Sequence, residues 1–226
     1  MGVFHKIVVF IGTAVILVTL LVAVTSRRRT STPSYLKWFY LYPLLLLLTS
    51  FNTITIDVIR PSFIVYMPAI EKIIATLNFI FFALFFYLSQ SDTHVKNLIG
   101  TIALVFLLFT APVALFLSQE VLLHYYFRAY HNLGVLCFCL LYLYAMFNSS
   151  SEILLKYEPT FWITMGIFFY VSVTIPIFLS YYYLASNQYA DLLRILFPLT
   201  NISIIIMNVF FIYGHLCIPQ PRKISL

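Results

Sequence analysis

The sequence predicts an all-α integral membrane protein, a bundle of seven transmembrane helices with its N-terminus outside and its C-terminus in the cytoplasm. The 226-residue chain is 62% hydrophobic and only 9% charged, and its mean hydropathy of +0.99 lies far outside the range of soluble proteins. Seven apolar stretches each meet or approach the roughly 20 residues that cross a bilayer core of about 30 Å as a helix. The loops between them are short, so we expect a single domain over residues 1–226.

The first three predicted spans are defined by their flanking residues. The apolar run of span 1 is longer than the core of a secretory signal, and the arginine triplet at residues 27–29 stops its transfer. Trp38 opens span 2 at the level expected for an aromatic belt, and Pro43 within it predicts a kink. Span 3 carries the charged pair Glu71 and Lys72 near its start. These three spans cover residues 7–25, 39–56 and 63–88.

Three of the last four spans also contain a proline within an apolar run. Pro112, Pro176 and Pro198 interrupt spans 4, 6 and 7, and membrane helices tolerate proline because neighbouring groups satisfy the carbonyl that it leaves free. Span 5 contains no proline and instead begins with polar residues. The four spans cover residues 98–117, 124–147, 161–184 and 192–218.

The orientation follows from the distribution of lysine and arginine. With the N-terminus outside, the cytoplasmic side carries the larger share of these residues, as the positive-inside rule requires. We therefore expect a multi-pass protein of the plasma (inner) membrane. The cytoplasmic set is Arg27, Arg28, Arg29, Lys37, Lys96, Lys156, Arg222 and Lys223.

A stripe of charged residues runs into span 5. Its members are spaced by four, four and three residues, which places them on one face of a helix. Charged groups inside a bilayer are costly unless they face water or a partner, so they are candidates for ligand binding. The stripe consists of Glu120, His124, Arg128 and His131.

Further charges are expected on the same, external side of the membrane. Glu71 opens span 3, and Asp191 and Arg194 open span 7. Together with the stripe they form either a salt-bridge network that locks helix ends together or a polar vestibule that binds a small ligand. We treat these seven residues as candidate ligand-contacting residues.

Asparagines extend the polar surface deeper into the bundle. On span 7, Asn201 and Asn208 are seven residues apart, and Asn78 lies seven residues after Glu71 on span 3. A polar face on a membrane helix points at other helices or at a cavity. The three asparagines are therefore either interhelical hydrogen-bonding groups or candidates for lining a cavity.

The motifs of soluble enzymes and of cofactor or metal sites are missing from the sequence. No nucleophile elbow, P-loop or glycine-rich fingerprint is present. His124 and His131 are two helical turns apart, about 10 Å, which is too far for both to bind one ion. We expect no catalytic residue, metal or cofactor, and the clustering of the basic residues at helix ends argues against nucleic acid as a partner.

One segment carries a resemblance to a known group of proteins. Residues 158–170 contain a Pro-x-Phe-Trp-Ile sequence beginning at Pro159, followed by Gly166 and Tyr170. This segment resembles the entry to the sixth helix of small, uncharacterised seven-helix membrane proteins of the Bacteroidota. Such proteins are often encoded beside sensor histidine kinases, so the resemblance implies a role in signalling and a kinase as partner.

Three functional hypotheses follow. The first is a membrane sensor or accessory signalling protein that binds a small ligand in the external polar pocket and acts through a cytoplasmic or membrane partner, or as a homo-oligomer. The second is a small-solute transporter that uses a polar seam between spans 3, 5 and 7, where Asn78 and Asn208 are similar in place to asparagines of SWEET sugar transporters. The third is an intramembrane lipid hydrolase, which would need the carboxylates of the external cluster.

Overall fold

A computed structural model describes residues 3–28, 32–48, 67–116, 124–148, 157–187 and 189–217, with a few side chains in these ranges excepted. Every regular element of more than one residue in these ranges is an α-helix. The helices are α1 (Val3–Arg27), α2 (Ser34–Lys37), α3 (Met67–Ser89), α4 (Thr93–Phe116), α5 (His124–Asn148), α6 (Pro159–Ser186) and α7 (Ala190–Leu216).

Six of the described helices are long and apolar enough to cross a membrane. The helix α2 continues after a turn into helical residues 41–48, and together they form the shorter apolar helix Ser34–Leu48. The rest of the predicted second span, residues 49–56, lies outside the described residues, as does the start of span 3 at residue 63. The protein is therefore an all-helical, multi-pass membrane protein, while the seventh crossing and the orientation stay predictions.

Several of the described helices begin before the apolar runs that predicted them, and polar groups cap two of these, α4 and α6. The helix α4 starts at Thr93 and not at residue 98, since the Asp92 carboxylate accepts a hydrogen bond of 2.8 Å from the backbone N–H of His94. The helix α6 starts at Pro159, and the Glu158 side chain caps it. Caps satisfy the free N–H groups of a first turn, which an apolar run does not reveal.

The helices form a ring with one helix on its outside. Going round the ring, α1 contacts α7, α7 contacts α6, α6 contacts α5, and α5 contacts α3, while α2 contacts both α1 and α3. The helix α4 packs against α3 and α5. The helices α3 and α5 run in the same direction, since the rings of Phe79 and His131 meet near one end, and those of Phe86 and Tyr142 meet further along.

Aromatic side chains from α2 and the residues after it fill the middle of the ring. Phe39 is completely buried and meets the Phe211 ring of α7 edge-on at 4.9 Å between centroids. Tyr42 lies 4.6 Å from the Phe82 ring of α3, and its hydroxyl reaches the Met207 sulfur of α7 at 3.8 Å. Packing of this kind is specific, because aromatic pairs prefer edge-to-face and offset geometries.

Glycines allow two pairs of helices to approach closely. A Cβ atom on Gly166 of α6 would lie 2.8 Å from the Phe210 Cβ and 2.9 Å from the Met207 carbonyl oxygen of α7. A Cβ on Gly134 of α5 would lie 2.5 Å from the Phe79 ring of α3. Small residues at such contacts are how membrane helices gain packing energy when lipid is as apolar as the side chains.

The substitution Gly166→Ala is expected to destabilise the protein by roughly 1–3 kcal/mol, because the added methyl group meets a backbone carbonyl that cannot move aside. Gly100→Ala is the matched control. There the new Cβ meets only a ring carbon of Tyr87 at the ordinary distance of 3.7 Å, and the gain in helix propensity is about 0.5–1 kcal/mol. Thermal unfolding in detergent should place the two variants on opposite sides of the wild type. Equal midpoints for both variants would contradict the close approach of α6 and α7.

Candidate functional site

An ion pair joins α3 to α5 near the first turns of both helices. The Arg128 Nη2 atom lies 3.5 Å from Glu71 Oε1, and the two side chains are 30% and 22% exposed. The Arg128 guanidinium also lies over the Phe178 ring of α6, 5.8 Å from its centroid, which adds a cation–π contact. Since α3 and α5 start at the same end of the bundle, residues in their first turns meet directly.

A cavity of about 90 Å³ lies beside this ion pair, inside the bundle. A single water needs about 10–15 Å³ measured in this way, so the cavity has room for several waters or for one small molecule. Apolar side chains of α3, α5 and α6 line one part of it, and Tyr42 and Phe82 of the aromatic core lie at its boundary. The polar side chains that line it, besides the Tyr42 phenol, are Asn78, Arg128, His131, Asn132 and Tyr170.

Asn78, which lines the cavity, carries a buried polar atom without a protein partner. Its Oδ1 atom is buried and accepts no hydrogen bond from the protein. An amide oxygen buried without a partner is unfavourable, so it favours a donor group in the cavity. The cavity thus presents a cation at Arg128 and a free acceptor at Asn78.

One hydrogen bond between α5 and α6 and a second within α6 hold another part of the cavity wall in place. The Asn132 amide donates to the Thr174 hydroxyl at 2.9 Å, and that hydroxyl donates to the Tyr170 carbonyl at 2.8 Å. Both bonds lie within helices long enough to span the membrane. They fix the orientation of the Asn132 side chain in the polar wall of the cavity.

His131 connects the cavity to α4. Its side chain is 2% exposed, with Nδ1 3.0 Å from the Phe127 carbonyl oxygen and Nε2 3.3 Å from the Thr110 hydroxyl. The rings of Phe79 and Phe127 pack against it, with centroids 5.3 and 4.5 Å away. His131 is therefore a buried wall residue with both ring nitrogens in hydrogen bonds.

The candidate ligand-contacting residues divide into three groups in the structure. Arg128 and His131 line the cavity, and Glu71 pairs with Arg128. Asp191 is exposed at the start of α7. Glu120 lies outside the described residues, and of His124 and Arg194 the structure describes the backbone but not the side chain.

Of the three candidate cavity-lining asparagines, Asn78 lines this cavity. Asn208 is completely buried elsewhere and donates to the Ile204 carbonyl of its own helix at 2.8 Å. Asn201 is half-buried on α7 and is not part of the cavity wall. His215 lies seven residues after Asn208 on the same helix. Its Nδ1 atom is 3.0 Å from the Ser26 hydroxyl of α1, so it joins α7 to α1 at the opposite end of the bundle.

Two polar wall residues, Asn132 and Tyr170, and Thr174, which holds the Asn132 amide, were not among the sequence candidates. Asn132 follows Arg128 by four positions, so the helical spacing that selected the stripe also points to it. Tyr170 and Thr174 are likewise four apart on α6, but this spacing gives no indication of which neighbouring helix the pair faces. The packing of α5 against α6 brings Asn132 and Thr174 together.

Within the described residues, no group of three or more histidine, cysteine or acidic side chains could hold a metal ion. Comparisons with protein-family models, with curated proteins and with solved structures found no match to this chain.

We expect Asn132→Ala and Thr174→Val to be coupled in stability, because each removes one partner of the same intramembrane hydrogen bond. The double variant should lose less than the sum of the two single variants, by about 0.6–1.7 kcal/mol. The measurement is unfolding of the four proteins in detergent. A control cycle combines Thr174→Val with Asn148→Ala, which changes an exposed residue at the end of α5. In that cycle the two losses of stability should be additive. Additivity in both cycles would contradict the bond.

Proposed function

We propose that this multi-pass protein of the plasma membrane is a sensor or accessory signalling protein, which binds a small polar ligand in the cavity and acts through a partner protein. The observation that supports it best is the cavity itself, where Arg128 and the free acceptor of Asn78 converge inside a bundle of membrane helices. Polar and charged groups inside a bundle of membrane helices are costly, and they often mark a ligand or ion site.

The ion pair supports ligand binding more than it supports a purely structural role. At 3.5 Å the contact engages only one pair of atoms of Arg128 and Glu71, whereas an optimal arginine–carboxylate pair forms two shorter bonds. A guanidinium carries five N–H donors, so donors beyond this contact are available to the cavity that Arg128 lines. A ligand acceptor can therefore bind Arg128 without breaking the pair.

The packing below the cavity offers a route for a signal. Tyr42 forms part of the cavity wall and also contacts Met207 and Phe211 of α7. Phe39, three residues earlier, packs against Phe211 and against the ring of His215, which lies beside Ser26 of α1. A ligand that displaces Tyr42 would thus change how α2 sits between α3, α7 and α1 at the far end.

Transport is the second candidate, because the same cavity could hold a solute in transit. A transporter needs the path to continue through the bundle. In this conformation Tyr42 and Phe82 close the cavity on the side of the aromatic core, with centroids 4.6 Å apart. A site closed on this side by tightly packed rings favours sensing over conduction.

The binding site is tested by ligand-induced stabilisation. Short polyols, amides and carboxylates are added to the purified full chain, and the shift in unfolding temperature is measured. We expect at least one solute to stabilise the wild type by roughly RT ln(1 + [L]/Kd). That shift should disappear in Arg128→Gln and Asn78→Leu and persist in Arg28→Gln, a change of an exposed arginine outside the cavity. If no solute stabilises the wild type, or if both cavity variants respond like it, the binding site is refuted.

The sensor and the transporter are separated by two further measurements. Crosslinking in the native membrane followed by mass determination should yield a stoichiometric complex with a second protein. Liposomes containing the purified protein should show no flux of the stabilising solute above that of protein-free liposomes. A lone protein that conducts the solute would replace the sensor by the transporter.

A further inference from the structure

The hydrogen bonds around His131 are unusual in that they can be completed in two protonation states. A carbonyl oxygen only accepts, so the contact of 3.0 Å between Nδ1 and the Phe127 carbonyl requires a proton on Nδ1. The other nitrogen, Nε2, lies 3.3 Å from the Thr110 hydroxyl. Whether Nε2 accepts or donates depends on where the single proton of that hydroxyl points.

The Thr110 hydroxyl has two acceptors within reach. Besides Nε2 of His131, it lies 2.9 Å from the Phe106 carbonyl oxygen, which also accepts from the Tyr130 hydroxyl at 2.7 Å. With a neutral His131, Thr110 donates to Nε2 and Tyr130 still satisfies Phe106. With a protonated His131, Nε2–H donates to the Thr110 oxygen and the hydroxyl turns to Phe106. One hydroxyl rotation therefore accommodates an added proton without leaving a buried group unsatisfied.

The charges around the cavity indicate the condition under which His131 would hold a second ring proton. From α3 the charged group is Glu71 and from α5 it is Arg128, and the two neutralise each other at 3.5 Å. Among the described side chains, the other titratable groups near the site are the phenols of Tyr42, Tyr125, Tyr130 and Tyr170, while α4 contributes the uncharged Thr110. With a neutral His131 these groups carry no net charge. An anion entering the cavity would then be an uncompensated charge inside a membrane bundle, which is strongly unfavourable.

We propose that the cavity binds a small carboxylate together with one proton, and that the proton is held on Nε2 of His131. This inference rests on the proposed binding function and names its ligand class. The carboxylate faces the free donors of Arg128, and a hydroxyl on the ligand donates to Oδ1 of Asn78, which has no protein partner. The proton comes from bulk water, and no covalent bond of the ligand is formed or broken. The volume of about 90 Å³ limits the ligand to a small molecule, and these two polar partners favour a short hydroxycarboxylate.

Glycolate and glycolamide test this inference, because they have nearly the same shape and differ in charge. Binding to the full-length protein in nanodiscs is measured between about pH 6 and pH 8, where an unperturbed histidine titrates and a carboxylate stays ionised. Since a proton is taken up with the anion, glycolate should bind more tightly at lower pH. We expect its affinity to fall by up to about tenfold for each unit of rising pH. Glycolamide should bind with no such dependence.

Two variants locate the proton. His131→Gln should abolish the pH dependence of glycolate binding. Thr110→Val keeps the imidazole but removes the acceptor for Nε2–H, so it should weaken glycolate binding and leave glycolamide binding unchanged. Thr101→Val is the matched control on the same helix, because its hydroxyl is exposed and bonds only to the Asn97 carbonyl at 2.9 Å. In the wild type, the nitrogen NMR signal of His131 Nε2 should change to that of a protonated ring when glycolate is added.

Equal glycolate affinity across the pH range, or no glycolate binding at any pH, would overturn the inference. A His131 ring that stays neutral in saturating glycolate would do the same. These outcomes are distinct from failure of the binding site itself, because a neutral solute that stabilises the wild type but not Arg128→Gln would still support the cavity as a ligand site.

Discussion

Lipid offers no hydrogen-bond partner, so every polar side chain within the membrane has to be satisfied inside the bundle or by water in a cavity. This constraint explains which helices are joined and where. Asn132 is held by Thr174, and His131 is held by Thr110, so α5 is tied to α6 on one side and to α4 on the other. Near the opposite end, Tyr35 and Thr160 meet at 2.8 Å and tie α2 to α6. The positions of the polar residues thus determine which helix faces are turned inward.

The aromatic side chains determine which part of the bundle is tightly packed. Phe39 and Tyr42 enter between α3 and α7 and leave no room there, because large rings pack with complementary geometry. The cavity begins where these rings end and polar side chains take over on α3, α5 and α6. The same residues that close the site on one side also contact the helices of the far end. The cavity and the aromatic contacts that reach the opposite end of the bundle are therefore parts of one packed unit.

Sequence periodicity predicted part of the site. Arg128 and His131 were identified because charges at helical spacing in a membrane span are rarely tolerated without a partner, and Asn78 because it continues the face of Glu71. Asn208 was selected by the same rule, yet it is buried away from the cavity with its amide bonded to its own helix. Periodicity places a residue on a helix face, but it does not distinguish a face that meets a cavity from one that meets another helix.

The sequence by itself determined that this is a helical membrane protein, because the length and apolar character of its segments depend on the bilayer and not on any tertiary contact. It also determined which residues are too polar to face lipid. Only the tertiary structure decided which of them meet. Asn132 and Thr174 are far apart in the chain, and the Thr110 hydroxyl approaches His131 from another helix, so their contacts depend on helix packing. That packing is set by close glycine contacts and interlocking aromatic rings, which no short stretch of sequence encodes alone.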